Sequence, residues 1–314
     1  MSTEAQIVLV VSVLIGAVRM GTILLTAALG ELIVERSGVL NLSVEGMMLI
    51  GALIGFLVAI YTKNMFLGVL AAVGAGMLAS AVFGLLAVIL QIDQTVCGLT
   101  INIFASGFTF YLYRSLFPDV GTQTIPNLVP VGNLKIPILA DIPFIGPLFF
   151  QQSAYTYFSI LLLLLIAFYL YRTRSGLVLR TIGENPRAVD MKGINVTLYR
   201  FGAVLFGGML AGLAGSIMTI GSAGLFVSDM IAGRGWLAIA IVIFGDWKPG
   251  RVLLASLFFG FIDALQMQVQ ASGNLQLPTE LFLALPYIMT VVALFIGRRR
   301  AGAPIALGVA YVRE

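Results

Sequence analysis

The chain has 314 residues, of which 60% are hydrophobic and 10% are charged, and its mean hydropathy is +1.04. That composition leaves too little polar surface to cover a soluble globule of this length, so it predicts an integral membrane protein. The net charge is +4, and the Lys and Arg residues lie beside apolar runs rather than along one polar face, which argues against nucleic-acid binding. The absence of histidine excludes His-based triads and the usual zinc sites, and the single Cys97 excludes a disulfide framework.

The apolar runs predict an all-α fold, a polytopic membrane helical bundle. A hydrocarbon core about 30 Å thick requires roughly 20 mainly apolar residues per helix, which gives about nine candidate spans in a single transmembrane domain covering residues 1–314. The spans lie near residues 7–30, 46–61, 66–90, 94–113, 153–171, 200–220, 234–245, 251–270 and 280–297. The second and seventh are short, which favours tilted, broken or partly re-entrant helices.

Residues 31–45, between the first two spans, are unusually polar for this chain. The polar side chains there are Glu31, Glu35, Arg36, Asn41, Ser43 and Glu45. Charge is ordinary at a membrane boundary, so a solvated turn is the simplest account of the segment.

The segment 114–152 is the one long extramembrane stretch on its side of the predicted bundle. Its six prolines interrupt any extended helix. The segment either faces a soluble partner or forms an irregular cap over the spans.

A basic, polar loop separates two long apolar runs at residues 172–200. Within it, Asn185 followed by Pro186 favours a helix start, since asparagine accepts a hydrogen bond from an early helical N–H and the fixed φ of proline suits the first helical position. Gly193 supplies a stop. The pattern predicts a helix of about two turns across one mouth of the bundle.

The positive residues indicate an orientation, because cytoplasmic loops carry an excess of Lys and Arg. If 172–200 is inside, alternation of the spans also places 31–45, 91–93, 246–250 and the tail inside. The positive residues on that side are then Arg36, Arg172, Arg174, Arg180, Arg187, Lys192, Arg200, Lys248, Arg251, Arg298, Arg299, Arg300 and Arg313, against Lys63, Arg114 and Lys135 outside. The asymmetry predicts an N-out, C-in topology, with spans 1–4 and 6–9 as an inverted-topology repeat.

Polar side chains inside apolar spans are costly and are therefore candidates for a polar path across the membrane. They are Arg19, Asn102, Asp263, Gln266 and Gln270. The last three recur at intervals of three and four residues and share one helix face. For Arg19 and Asp263, pairing with another buried charge is an equally good account. Arg234, at the start of the short seventh span, is expected to cap or neutralise a helix end near the outer mouth.

Glycines recur at helix-packing spacing, in Gly51–Gly55 and in Gly208–Gly212 followed by Gly215. Small residues let helix backbones approach closely in lipid. We interpret these motifs as packing seams rather than as functional sites.

Three separated motifs give the chain a family resemblance. They are GELIVERSGVLNLSVEGMM at 30–48, GENPRAV at 183–189 and GRGWLAIAIVIFG at 233–245. In this order they resemble the permease subunits of bacterial ABC importers for nucleosides and simple sugars, within the branched-chain amino acid and ribose permease superfamily. The likeness is nearest to the shorter permease of systems that use a basic-membrane-protein-type lipoprotein.

The resemblance implies a pore-forming subunit of the bacterial cytoplasmic membrane. Its implied partners are a second permease, usually a non-identical paralogue, two ABC ATPase subunits and an external substrate-binding lipoprotein. The segment resting on the ATPase would comprise Gly183, Glu184, Asn185, Pro186, Arg187, Ala188 and Val189, and a gate would lie near Asn41, Ser43 and Glu45. The chain has no G-x-x-x-x-G-K-[ST] phosphate loop, so ATP and Mg²⁺ are expected on the partner and no cofactor on this chain.

Other classes and substrates stay open at this stage. A branched-chain amino acid or another small polar solute is the alternative cargo of the same importer class. An ion-coupled secondary transporter is the alternative mechanism, because it also uses broken helices and midplane polar residues. A membrane-embedded enzyme is disfavoured by the absence of histidine and of clustered intramembrane carboxylates.

Overall fold

The computed structural model describes residues 3–118, 127–135, 137, 140, 146–272, 288, 291 and 302–312. The α-helices within these residues are α1 (Thr3–Arg36), α2 (Val44–Thr62), α3 (Met65–Gly84), α4 (Gln94–Leu116), α5 (Ala154–Arg172), α6 (Arg174–Glu184), α7 (Pro186–Asp190), α8 (Val196–Ser216), α9 (Arg234–Phe244) and α10 (Pro249–Ser272). Three π-helical turns accompany them: Leu85–Ile89 after α3, Gly146–Phe150 before α5 and Ile217–Ala223 after α8.

The described part of the chain is all-helical, as predicted, and its only β pairing is an isolated bridge between Asn133 and Ser153. Seven of its helices are long and apolar enough to cross a membrane. They match the first six predicted spans and the eighth. The predicted seventh span corresponds to α9, whose 11 residues are too few to cross a hydrocarbon core. The predicted ninth span, 280–297, lies outside the described residues apart from 288 and 291.

The helix α1 packs against α5, α8, α9 and α10. Its 34 residues span about 51 Å at 1.5 Å per residue, well beyond a core about 30 Å thick. It continues to Arg36, past the predicted end of the first span at residue 30. The solvated-turn interpretation is therefore wrong for Glu31 and Glu35, whose side chains are buried inside the bundle.

The glycine motifs form a close helix seam between α2, α3 and α8. Gly51 lies against the backbone of Gly212, and Gly215 lies against the carbonyl oxygen of Met48. A Cβ atom on Gly212 would collide with the carbonyl oxygen of Ala72. The interpretation of these glycines as a packing seam is confirmed.

The connection between α1 and α2 enters the bundle instead of crossing its surface. The N–H of Leu40 donates to Gln94 Oε1 at the first residue of α4, with a distance of 2.8 Å. Farther along, Asn102 donates to the Leu42 carbonyl (2.7 Å) and accepts from the Gly46 N–H (2.8 Å). Asn102 lies about 12 Å farther along α4 at 1.5 Å per residue, so α2 begins well inside the bundle.

The connection between α8 and α9 enters from the opposite face. It starts after the π-helical turn at Gly224, and the ring of Phe226 then packs at a tilt against Tyr113 near the end of α4, with ring centroids 5.0 Å apart. Ser106 Oγ donates to Asp229 Oδ1 at 2.7 Å. Because Ser106 lies about 10 Å nearer the middle of α4 than Tyr113 does, this connection descends into the bundle.

The two re-entrant connections meet at Glu45, in the first turn of α2. Its Oε1 accepts from the Gly233 N–H and its Oε2 accepts from the Gly235 N–H, each at 2.7 Å. These N–H groups have no partner within α9. The Glu45 carboxylate, at the start of α2, therefore caps the short helix α9.

The ends of α1, α5 and α9 and the starts of α4, α8 and α10 share one face of the bundle. Arg36 Nη2 donates to the Trp247 carbonyl (2.8 Å), and Arg200 Nε donates to the Ser37 carbonyl (3.1 Å). We call this the basic face, defined by Arg36, Arg172, Arg174, Arg180, Arg187, Lys192, Arg200, Lys248 and Arg251.

We expect Gly212→Ala to lower the free energy of unfolding by about 1–3 kcal/mol, since overpacking forces backbones apart. Gly202→Ala is the matched control on the same helix, because a Cβ there has no atom within 4 Å. Thermal unfolding of the purified protein in detergent measures both. Equal stability of the two variants would contradict the close seam.

Candidate functional site

The helices α6 and α7 form a projection on the basic face, and the local sequence explains both starts. Thr173 Oγ1 accepts from the Gly176 N–H at 3.0 Å and begins α6. Asn185 Oδ1 accepts from the Ala188 N–H at 3.1 Å and begins α7, with Pro186 at its first position. Each side chain satisfies a donor that the helix itself leaves unpaired.

The predicted helix start at Asn185 is confirmed, and so is the stop, since Gly193 has a φ of +78°. The helix is shorter than predicted, however, because α7 has five residues and turns fill the rest. The interpretation of 172–200 as mainly loop is wrong, because α6 occupies 11 residues of it. The threonine cap and the buried pair Leu179 and Ile182 are the sequence signals that were missed.

The described C-terminal residues 302–312, which we call the C-terminal strap, lie against this projection. The Tyr311 hydroxyl donates to Asp190 Oδ2 at 2.8 Å, at the last residue of α7. The Ala306 N–H donates to the Gly183 carbonyl, also at 2.8 Å. The strap therefore binds the last turn of α6 and the last residue of α7.

The strap is anchored to the membrane-spanning helices as well. Arg200 is buried and bridges two segments, because its Nη1 donates to the Val309 carbonyl (2.8 Å) while its Nε donates to the Ser37 carbonyl. Gln91, in the turn before α4, donates to the Tyr311 carbonyl at 2.9 Å. The strap thus connects α7 to the end of α1 and to the turn before α4.

A cleft of 590 Å³ separates α7 from the strap. Glu184 and Arg187 line one side and are exposed, while Ile305 lines the other and is 81% exposed. Val189 points the opposite way, into a small buried cluster with Ile182 and Val196. The projection therefore combines an anchored apolar side with an open, charged side.

The gate candidates form a buried network at the α1–α2 connection. Asn41 Oδ1 accepts from the N–H and hydroxyl of Ser43, and Glu31 Oε1 accepts from the Asn41 N–H at 3.3 Å. The third candidate, Glu45, caps α9 as described. All three side chains hold the re-entrant backbone in place. Their hydrogen bonds supply partners for polar groups that are buried away from water.

Glu35 and Arg36 join α1 to the α9–α10 turn. The Trp247 indole N–H donates to Glu35 Oε2, and the Trp247 carbonyl accepts a hydrogen bond from Arg36. Beside them, Asp246 lies outside the membrane-spanning segments, and a hydrogen bond from the Lys248 ammonium lowers its pKa below the ordinary value. Hydrogen bonds therefore join the end of α1 to the α9–α10 turn on the basic face.

Asp263 pairs with Arg234 instead of lining an open cavity. Arg234 Nη2 and Nε donate to Asp263 Oδ2 at 2.9 and 3.1 Å, and both residues are buried. The alternative of a paired charge is thus the observed arrangement for Asp263. Arg234 also donates to the Ile231 carbonyl at 3.1 Å, so it binds the backbone just before α9, but it does so inside the bundle and not near an outer mouth.

The remaining polar candidates of the spans separate into different roles. Asn102 binds the backbone at the start of α2 and has a structural role. Gln266 is buried, and its Oε1 has no hydrogen-bond partner among the described residues, whereas Gln270 on the same helix is exposed. The shared helix face predicted for α10 is therefore buried at Asp263 and Gln266 and reaches the surface only at Gln270.

Arg19 lies in a polar cavity of 310 Å³ at the face opposite the basic face. It donates to Asn133 Oδ1 at 3.3 Å, and Thr22, Ser153 and Ser222 also line the cavity. The described part of segment 114–152 covers this cavity, which agrees with the cap interpretation. No pairing of Arg19 with a carboxylate occurs among the described residues.

Sequence reasoning missed the strap, Trp247 and the Ser106–Asp229 contact. None carries a local signal, because each depends on residues far apart in the chain. Among the residues described, no group of three or more His, Cys, Asp or Glu side chains is arranged to hold a metal ion.

Comparisons with known proteins agree with this architecture. Residues 13–294 match the family described as branched-chain amino acid transport system / permease component. The chain is 38% identical to the guanosine ABC transporter permease protein NupQ of Bacillus subtilis over 92% of this chain and 93% of the relative. It is 34% identical to the nucleoside ABC transporter permease protein NupC of Lactococcus lactis, over 93% and 94%.

A provisionally named glucose ABC transporter permease of Haloferax volcanii, TsgC13, is 38% identical over 81% of this chain and 76% of the relative. A second guanosine ABC transporter permease of Bacillus subtilis, NupP, is 24% identical over 83% of this chain. No solved structure matches the chain.

Breaking the buried pair by Arg234→Met should lower the free energy of unfolding by about 3–5 kcal/mol, because it leaves the Asp263 carboxylate uncompensated. Adding Asp263→Asn should restore part of that loss. Unfolding in detergent measures both, with Gln270→Ala on the same helix as a near-neutral control. A double variant as unstable as the sum of its single variants would argue against the pairing.

Proposed function

Because the chain belongs to the family of permease components of branched-chain amino acid transport systems, we propose that it is the membrane-spanning permease subunit of an ATP-binding-cassette importer for nucleosides or simple sugars. The substrate class is supported by the names of the similar relatives, which are given for guanosine, nucleosides and glucose. The family description itself makes branched-chain amino acids the second candidate cargo.

The carrying observation is the short capped helix α7, held at the basic face by the strap. We assign the ATPase-coupling role to Gly183, Glu184, Asn185, Pro186, Arg187, Ala188 and Val189. Glu184 and Arg187 would contact the ATPase, since they are exposed. Gly183 transmits the movement, because it packs directly on the carbonyl of Arg36 at the end of α1.

The chain is a multi-pass membrane protein, and the remaining assembly follows from the proposed class. The basic face is cytoplasmic, giving an N-out, C-in topology in the bacterial cytoplasmic membrane, in which α9 and the re-entrant connection before it together make one crossing. Two ABC ATPase subunits bind ATP and Mg²⁺, a second permease completes the path, and an external lipoprotein delivers the solute. This chain binds no cofactor. The presence of two guanosine permeases in Bacillus subtilis supports a non-identical pair.

The two re-entrant connections support an inverted repeat of spans 1–4 and 6–9, because they enter from opposite faces and meet at Glu45. Closure of the ATPases on ATP would move α7 and shift the permease between inward- and outward-facing states. Only a ligand or partner with different affinities for the two states can drive that shift. Asn41, Ser43 and Glu45 act as the gate, since Glu45 connects α2 to α9 and the other two hold the connection that leads into α2.

Coupling is tested in the assembled importer with Glu184→Ala and Arg187→Ala. We expect solute uptake and stimulation of ATP hydrolysis to fall by at least about fivefold, the scale of an interaction that links two sites. Arg174→Ala is the matched control, because Arg174 is exposed on the same face but begins α6.

Stimulation of ATP hydrolysis and uptake are measured together with assembly of the complex. Normal values in both Glu184→Ala and Arg187→Ala, at normal assembly, would refute the coupling role of α7.

A further inference from the structure

The α8–α9 connection places an exposed carboxylate deep within the bundle. Asp229 accepts the 2.7 Å hydrogen bond from Ser106 and is exposed. Ser106 lies near the middle of the 23-residue helix α4, about 18 Å from its first residue at 1.5 Å per residue. Asp229 therefore lies near the midplane of a hydrocarbon core about 30 Å thick.

The backbone around Asp229 is also irregular and exposed. Val227 is 50% exposed, and Asp229 and Ala232 have φ values of 55° and 49°. Irregular backbone at membrane depth occurs only where it is buried in protein or lines a water-filled cavity, and a carboxylate against lipid is strongly unfavourable. This surface of the bundle therefore does not face lipid: it faces a partner subunit or an aqueous path.

An exposed tryptophan lies in the first turn of α9, at the end of the connection that carries Asp229. Trp236 follows Gly235, whose N–H donates to Glu45, and its side chain is 37% exposed. The start of α2 that carries Glu45 is in turn bound by Asn102, one helical turn before Ser106 on α4. A continuous chain of contacts thus joins Ser106 and Asp229 to the first turn of α9.

We propose that Asp229 and Trp236 bind the transported solute on the wall of a water-filled path that this surface and the second permease enclose, with Ser106 orienting the carboxylate. The inference rests on the proposed function, since it assigns a ligand to the same transport path. A carboxylate accepts hydrogen bonds from neighbouring hydroxyls, and an indole ring offers a flat apolar surface with a polar edge. This pair fits a neutral polyhydroxylated solute, a nucleoside or a hexose.

Water access is tested in a Cys97→Ser background, because Cys97 is the one cysteine of the chain. In the assembled importer, Asp229→Cys should react with a charged, membrane-impermeant methanethiosulfonate reagent. Leu164→Cys, at a position 61% exposed on α5, should stay unreactive against lipid. Guanosine or glucose, whichever the importer takes up, should slow the labelling of Asp229→Cys. An unreactive Asp229→Cys would overturn the proposal.

Solute recognition is tested by uptake of the same two solutes. Asp229→Asn keeps an oxygen that accepts from Ser106 but loses the charge, and Trp236→Ala loses the stacking surface. We expect each variant to raise the KM for uptake by about tenfold or more, in line with the loss of a charged hydrogen bond or an aromatic contact. Trp236→Phe should recover most of the affinity, and Leu164→Ala, at an exposed position of α5, should leave the KM unchanged.

The outcomes separate this site from the proposed function. An unchanged KM in both Asp229→Asn and Trp236→Ala, at normal assembly, overturns the site while the importer assignment stands. Failure of the unmodified importer to take up any nucleoside or sugar overturns the function instead. In that case the labelling of Asp229→Cys still decides whether this surface faces water.

Discussion

Every backbone N–H and C=O group inside a bilayer must find its partner within the protein, and this constraint organises the whole structure. Two connections break the helical ladder inside the bundle, and each is repaired by a side chain from another helix. Asn102 binds the start of α2, and Glu45 binds the start of α9. These side chains supply hydrogen bonds to backbone groups that the interrupted helices leave unpaired.

The same reasoning connects the centre of the bundle to its basic face. α1 runs through the core and ends at Arg36, which is bound to the α9–α10 turn, while Arg200 binds both the α1–α2 connection and the strap. The small helix α7 is thus linked through short hydrogen bonds to the elements that surround Glu45. These contacts run without a break from α7 to the middle of the membrane, which is the geometry that a coupling element requires.

Local signals predicted local features well and long-range contacts poorly. Asn185 and Pro186 predicted the start of α7, and the spaced glycines predicted the seam around Gly212, because capping and close approach depend on neighbouring residues. The assignment of Asp263 was open, since sequence does not reveal that Arg234 lies 2.9 Å away. Asp229 was passed over because it sits between two apolar runs, where its depth depends entirely on the descent of the connection along α4.

By itself, the sequence determined that the chain is an apolar helical bundle, where most of its long helices lie, and which loops carry positive charge. These follow from composition and from the length of apolar runs, because the bilayer imposes both. Only the tertiary structure decided that Glu31 and Glu35 are buried, that Glu45 caps α9, and that Asp229 lies at mid-depth on an exposed surface. Those facts depend on contacts between residues far apart in the chain. A hydropathy pattern reports only on residues that are neighbours in the sequence, so it does not reveal such contacts.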